Sequence, residues 1–315
     1  MVDQFEGRVS EQMQQLAALF ESGRERFSRN NLGLQDVRDI CEGLHAASAE
    51  PEGVTYAEVD AGGVPALWCI PAECDANSVL LHSHAGGSVV FSMHTDRKTA
   101  GHLAKAAGVR ALVLDFRRSP EHKYPAQHED VETAYSWLLA GGYRPDKVAI
   151  GGHSIGGNLA VGVSIRLRDK GAPLPAAILA VSPFFDFELK NPTVDGNAET
   201  DKLLSRPLLE FFRDCWLGGT GVGYDDPGVN PLYADLAGLP PVSVYYGEHE
   251  LLAGEAIEFA QSAKGAALDV TLHPIPDGQH SFILGAGRVP EADQAIQEAG
   301  RWLRSKLGLA AALDA

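Results

Sequence analysis

The sequence predicts an α/β fold, a mainly parallel sheet flanked by helices, and three observations lead there. Short runs rich in Val, Ile, Leu and Ala alternate with longer segments in which apolar residues recur at intervals of three and four. A chain of 315 residues can hold one large domain, or one domain plus a smaller appendage, and still bury a sizeable core. Hydrophobic residues make up 45% and charged residues 22%, the balance of an ordinary soluble globular protein.

The β-strands are expected at Val79 to His82, Ala111 to Asp115, Val148 to Gly151, Ala176 to Val181, Val242 to Tyr246 and Val270 to Pro274. Tyr56 to Val59 and Ala66 to Ile70 read as an antiparallel opening. Helices are expected at Thr95 to Ala107, Glu129 to Leu139, Asn158 to Arg168, Gly254 to Ala263 and Asp293 to Leu307, each with an apolar stripe suited to lie on a sheet. Two stretches fall outside the alternation. The first fifty residues read as helices around Glu11 to Phe20 and Gln35 to His45, and Leu189 to Tyr233 carries Phe211, Phe212 and Trp216 on one helix. Such aromatic spacing is read as core packing rather than a substrate box.

Charge and composition exclude several classes. A formal net charge of -16, with no dense cluster of Lys and Arg, repels a nucleic-acid backbone. Met1 to Phe20 has no basic start and apolar run, and no segment approaches the length of a membrane span, so a cytoplasmic protein is expected. Cys41, Cys69, Cys74 and Cys215 form neither a C-x-x-C pair nor a zinc spacing and are read as small free thiols. There is no H-E-x-x-H, and Gly219-Thr-Gly221-Val-Gly223 lacks the marks of a dinucleotide or phosphate loop, so no metal and no cofactor are expected.

Gly152-His153-Ser154-Ile155-Gly156 follows a strand and precedes a helix, the setting a G-x-S-x-G nucleophile elbow requires. A strand turning sharply into a helix forces the Ser into a strained conformation, and the positions two before and two after it must lack bulk. A Ser hydroxyl needs a base, and the base needs a carboxylate. His280, in Asp277-Gly-Gln-His-Ser-Phe282 after the last strand, is the expected base. The acid is expected in Gly247-Glu-His-Glu-Leu-Leu252, with Glu250 preferred over Glu248, and Asp277 a third candidate too close in sequence to His280. His84-Ala85-Gly86-Gly87 follows an early strand, and the N–H groups of Gly86 and Gly87, with that of Ile155, are the expected oxyanion donors.

With these residues in place, the chain resembles the bacterial hormone-sensitive-lipase family of carboxylesterases, of the α/β-hydrolase type. His84 to Gly87, Asp115 to Ala126, Gly152 to Gly157, Ser182 to Asp186 and Asp277 to Phe282 fall in the family's order. The resemblance implies a core of residues 51–187 and 234–315 under a helical cap of 1–50 and 188–233. It further implies no cofactor, a homodimer as an open option, and hydrolysis of small-molecule short to medium acyl esters or lactones. The departures are specific. Ala85 replaces a Gly, at a cost if the position needs positive φ, and Ser88 replaces an aromatic, which would widen the pocket. His153 replaces an Asp and is read as a packing residue rather than a second base, while His249 occupies the place of the usual acid and points to Glu250.

Two rival readings stand beside the esterase. The gibberellin receptors resemble the same family and use its pocket without catalysis, but they lack the His that this chain keeps at His280. A hydrolase dedicated to amides or thioesters would retain the same triad.

Overall fold

The computed structural model describes residues 9–27 and 32–310. Parts of the Met1 to Phe20 stretch and of the segment Leu309 to Ala315 lie outside the described residues. The order is α1 (Glu11–Phe27), α2 (Leu34–Glu42), β1 (Val54–Asp60), β2 (Pro65–Pro71), β3 (Asp75–Ser83), α3 (Met93–Ala107) and β4 (Val109–Leu114). There follow α4 (Ala126–Ala140), β5 (Val148–His153), α5 (Ile155–Asp169), β6 (Ala177–Val181), α6 (Thr193–Gly196) and α7 (Arg206–Leu217). The chain closes with β7 (Val242–Gly247), α8 (Ala253–Gly265), β8 (Val270–Ile275) and α9 (Pro290–Lys306).

The eight strands form one sheet in the order β1-β2-β4-β3-β5-β6-β7-β8. β1 and β2 pair antiparallel, β2 joins β4 antiparallel, and every pairing from β4 to β8 is parallel. The inner strands carry Val, Ile, Leu and Ala without polar alternation because helices cover both faces. β5 and β6 are buried at every position. Each face of the sheet has its own apolar cluster. One gathers Ile150, Leu159 and Phe185 under α4, α5 and α8, and the other gathers Leu80, Leu103 and Ile296 under α3 and α9.

All expected strands and helices form, with shifted ends. β3 begins at Asp75 rather than Val79, and α5 begins at Ile155 rather than Asn158, because the sharp turn at Ser154 starts the helix through two glycines that propensity alone would leave as loop. α1 runs on to Phe27, and the second N-terminal helix ends at Glu42, with Gly43–Ala47 tightening into a 3-10 turn. The stretch after Leu189 has no strand among its described residues and supplies α6 and α7. Its aromatics split by role. Trp216 is fully buried in the core, Phe211 is exposed, and Phe212 faces the cleft described below. The four cysteines are free, with Cys41 and Cys69 buried. Among the described residues no helix is long and apolar enough to cross a membrane.

Candidate active site

Ser154 stands between the end of β5 and the start of α5 at φ 56° and ψ −117°, a conformation an L-residue rarely adopts. The turn is tied down on both sides. Ser154 N–H donates to the Val181 carbonyl at 2.8 Å, and the Ser154 carbonyl accepts from Phe184 N–H at 3.2 Å. The flanking glycines are needed for space. A Cβ at Gly152 would sit 2.3 Å from the Gly156 carbonyl, and one at Gly156 would sit 2.0 Å from the Ser83 carbonyl oxygen. Backbone occupies both places, so no rotamer change relieves them.

His280 lies on the loop after β8, and its Nε2 is 3.1 Å from Ser154 Oγ. The loop of residues 247–252 after β7 reaches the same edge. His249 N–H donates to the Gly278 carbonyl and Glu248 N–H to the Ile275 carbonyl, so the two loops are stitched together. Gly247 permits this approach, since a Cβ there would meet the Gly278 oxygen at 2.3 Å. Glu250 is thereby buried with Oε2 3.4 Å from His280 Nδ1. The other two acid candidates are elsewhere. Glu248 points to solvent, and Asp277 pairs with His249 at 3.0 Å.

Burial decides the electrostatics of the pair. Loss of water pushes the Glu250 carboxyl up to about 8 and the His280 imidazole down to about 4, with the Asp201 charge opposing the latter. A dry site thus penalises charge on either group alone. A proton gained by the imidazole and a negative charge on the carboxylate stabilise one another, and the geometry favours the two together.

The His84–Gly87 loop faces the same point. Gly86 and Gly87 take φ of 100° and 60°, and the N–H groups of Gly86, Gly87 and Ile155 donate to no acceptor among the described residues. Ala85 does not have positive φ, so the expected strain there is absent. It appears instead at Ser88, with φ 65°. Ser88 itself does not line the cleft. It is buried outside the cleft, and its carbonyl accepts from Ser119 N–H at 2.7 Å.

A cleft with a cavity volume of about 40 Å³ lies over Ser154 and His280. Its walls come from the early helices and the central insertion, with Phe27, Leu44, Leu208 and Phe212 facing Ala85, Val90 and Phe91. Among the described residues no Asp, Glu, Lys or Arg lines it, and that lining suits an uncharged ligand.

Sequence reasoning missed the residues that hold this arrangement. Asp201, fully buried, accepts from Leu203, Leu204 and Leu251 N–H. Asn197 donates to the Glu248 and Glu250 carbonyls, and Gln279 links the His280 loop to Lys202 N–H and the Thr200 carbonyl. Arg38 of α2 donates to the Val89 and Ser119 carbonyls beside the Gly86–Gly87 turn. These polar residues lie far from their partners in the chain, and no local spacing marks them. His153, taken as a packing residue, is fully buried but makes polar contacts to Ser281 and Asp96.

The geometry has counterparts among known proteins. A family model described as alpha/beta hydrolase fold matches residues 80–284. An acetyl-hydrolase of Streptomyces hygroscopicus is 34% identical over 250 residues, covering 79% of this chain and 83% of that protein. An esterase of Acinetobacter venetianus is 30% identical over 236 residues, covering 75% and 78%. The crystal structure of an esterase from the bacterial hormone-sensitive lipase family superposes with a TM-score of 0.91 at 35% identity, covering 96% of this chain and all of that one. A hormone-sensitive lipase from a metagenome library superposes with a TM-score of 0.89 at 29% identity, covering 95% and 99%. With fold, length and motif order agreeing across nearly the whole chain, this protein belongs to the α/β-hydrolase-fold family, in its bacterial hormone-sensitive-lipase branch of carboxylic ester hydrolases.

Proposed function

We propose that the chain hydrolyses short to medium acyl esters or lactones through a Ser154–His280–Glu250 triad and an acyl-enzyme. The observation that carries the reading is the 3.1 Å contact between His280 Nε2 and Ser154 Oγ at a strained elbow inside an uncharged cleft. His280 takes the Ser154 proton as Oγ attacks the acyl carbon, and Glu250 stabilises the imidazolium that forms. The oxyanion is held by the N–H groups of Gly86, Gly87 and Ile155, a role in which one donor supplies roughly 3 kcal/mol. The protonated His280 then gives its proton to the leaving alkoxide. Water, deprotonated by the same His, attacks the acyl-enzyme and releases the acid. The described residues of 1–50 and 188–233 serve as the cap, whose apolar side chains Phe27, Leu44, Leu208 and Phe212 shape the acyl and alcohol sites.

The acetyl-hydrolase name of one relative agrees with small acyl groups, as does a cavity of only about 40 Å³. The test is hydrolysis of a p-nitrophenyl acyl series by the wild type, Ser154→Ala, Glu250→Gln and Glu248→Gln. The expected result is turnover of short chains, a loss of about 10⁴-fold or more in kcat for Ser154→Ala, and a large loss for Glu250→Gln but not for Glu248→Gln. A folded wild type inert toward every chain length would instead favour a binding protein or a dedicated amide or thioester hydrolase.

A further inference from the structure

Behind the Ser154–His280 pair lies a buried polar cluster that the mechanism above does not use. His153 directly precedes Ser154 and is fully buried. Its Nε2 is 2.8 Å from Ser281 Oγ, and its Nδ1 is 3.7 Å from Asp96 Oδ2. Asp96, in the first turn of α3, is also fully buried, and His82 of β3 approaches the same oxygen at 3.2 Å. Among the described residues no Lys or Arg pairs with Asp96. Among the described residues the titratable side chains against its carboxyl are these two imidazoles.

Burial opposes charge on Asp96, yet the contacts from His153 and His82 outweigh it and hold the carboxyl well below the usual range. An ionised Asp96 favours the His153 tautomer with its proton on Nδ1. The Nε2 lone pair is then free to accept the Ser281 hydroxyl proton. Ser281 follows His280 directly and holds φ at 63°, in the left-handed region that a Ser enters only when something fixes it there. The two imidazole rings, of His153 and His280, are 6.0 Å apart.

We propose that His153, oriented by Asp96, is a positioning residue that fixes the Ser281 turn and through it the angle at which His280 meets Ser154. The inference rests on the reading of Ser154 and His280 as nucleophile and base. The groups facing His153 are Asp96 from α3, His82 from β3, and Ser281 and His280 from the loop after β8, with Glu250 of the acid loop in electrostatic reach. The cluster thus forms a second His–carboxylate pair at right angles to the first in role: one charges the base, the other aims it.

The experiment measures kcat, KM and thermal midpoint for the wild type, Ser154→Ala, His153→Phe, Ser281→Ala and the His153→Phe/Ser281→Ala double variant on p-nitrophenyl acetate. The expected result is a fall in kcat of about 10- to 100-fold in each single variant at a KM within about twofold, since a base displaced by a fraction of an ångström loses that much. The double variant loses no more than the worse single, because both changes cut one link. Losses that multiply in the double, or an unchanged kcat in folded variants, overturn the proposal. Should His153→Phe fail to fold, Ser281→Ala, which removes only a hydroxyl, decides by the same kcat criterion. Residual turnover in Ser154→Ala would sink the nucleophile reading itself, whereas a dead Ser154→Ala beside an unaffected Ser281→Ala sinks this inference alone.

Discussion

At Gly87 a single missing Cβ separates the glycine-rich turn from α7. A Cβ there would lie 2.4 Å from the Phe212 ring, and the residue sits at φ 60°. Two costs follow for Gly87→Ala, a steric one that depends on Phe212 and a backbone one of about 1 kcal/mol that does not. The variant is expected to lose kcat/KM, and Phe212→Leu introduced beside it to restore part of that loss and leave the backbone part. Equal kcat/KM in the single and double variants would show that the ring does not press on the turn. The motif residues Ser154, His280, Gly86 and Gly87 are legible in sequence because each must stand in a fixed local setting, an elbow, a loop end or a positive-φ turn. Asp96 and Asp201 carry no such mark. Each is one acidic residue among 42 until folding buries it.

Between elements, the stretch after Leu189 acts as a brace across two loops. Asp201 holds Leu251 N–H through Oδ2 and the N–H groups of Leu203 and Leu204 through Oδ1, while Asn197 and Thr200 hold the carbonyls of Glu248, His249 and Glu250. Asp201→Asn keeps the Oδ1 bonds but sets an amide NH₂ against Leu251 N–H, next to Glu250. A charge-assisted bond of this kind is worth roughly 1.5–3 kcal/mol. The expected outcome is a lower thermal midpoint and a fall of about tenfold or more in kcat, as the acid drifts from His280. Unaltered kinetics in Asp201→Asn would mean that the acid loop holds its place through β7 and the Gly278 contact alone. The helix and strand alternation was readable because each covered strand and each helix must show its own period. The brace was not, since its bonds join backbone groups to side chains roughly 50 to 80 positions away.

For the molecule as a whole, buried imidazoles contribute to the response to acid. His128 is fully buried on α4, stacks on Trp216, and has no hydrogen-bond partner on either nitrogen among the described residues. Burial pushes it down to about 3, with the Arg166 charge adding to the effect, and pushes His280 down to about 4. Both are bases with lowered folded values, so below about 6.5 the unfolded chain takes up protons that the folded one refuses, and stability falls as pH drops from about 6.5 toward 3. His128→Leu removes one such group. Its thermal midpoint is expected to fall less than that of the wild type between pH 7 and pH 4, by a free-energy difference on the order of 3 kcal/mol at the lower pH. Parallel midpoint curves for the two proteins would remove His128 from the acid response. The sequence by itself determined the fold class, the order of strands and helices, the elbow at Ser154, the His280 loop and the glycine-rich turn, because each is a local pattern of size, period or backbone freedom. Only the tertiary structure buried Glu250 beside His280 while leaving Glu248 exposed and Asp277 against His249, sorted Phe212 from Trp216, and brought His153 near Asp96 and Ser281. Those outcomes depend on which side chains lose their water and which loops meet across the sheet edge, and neither is written in the spacing of residues along the chain.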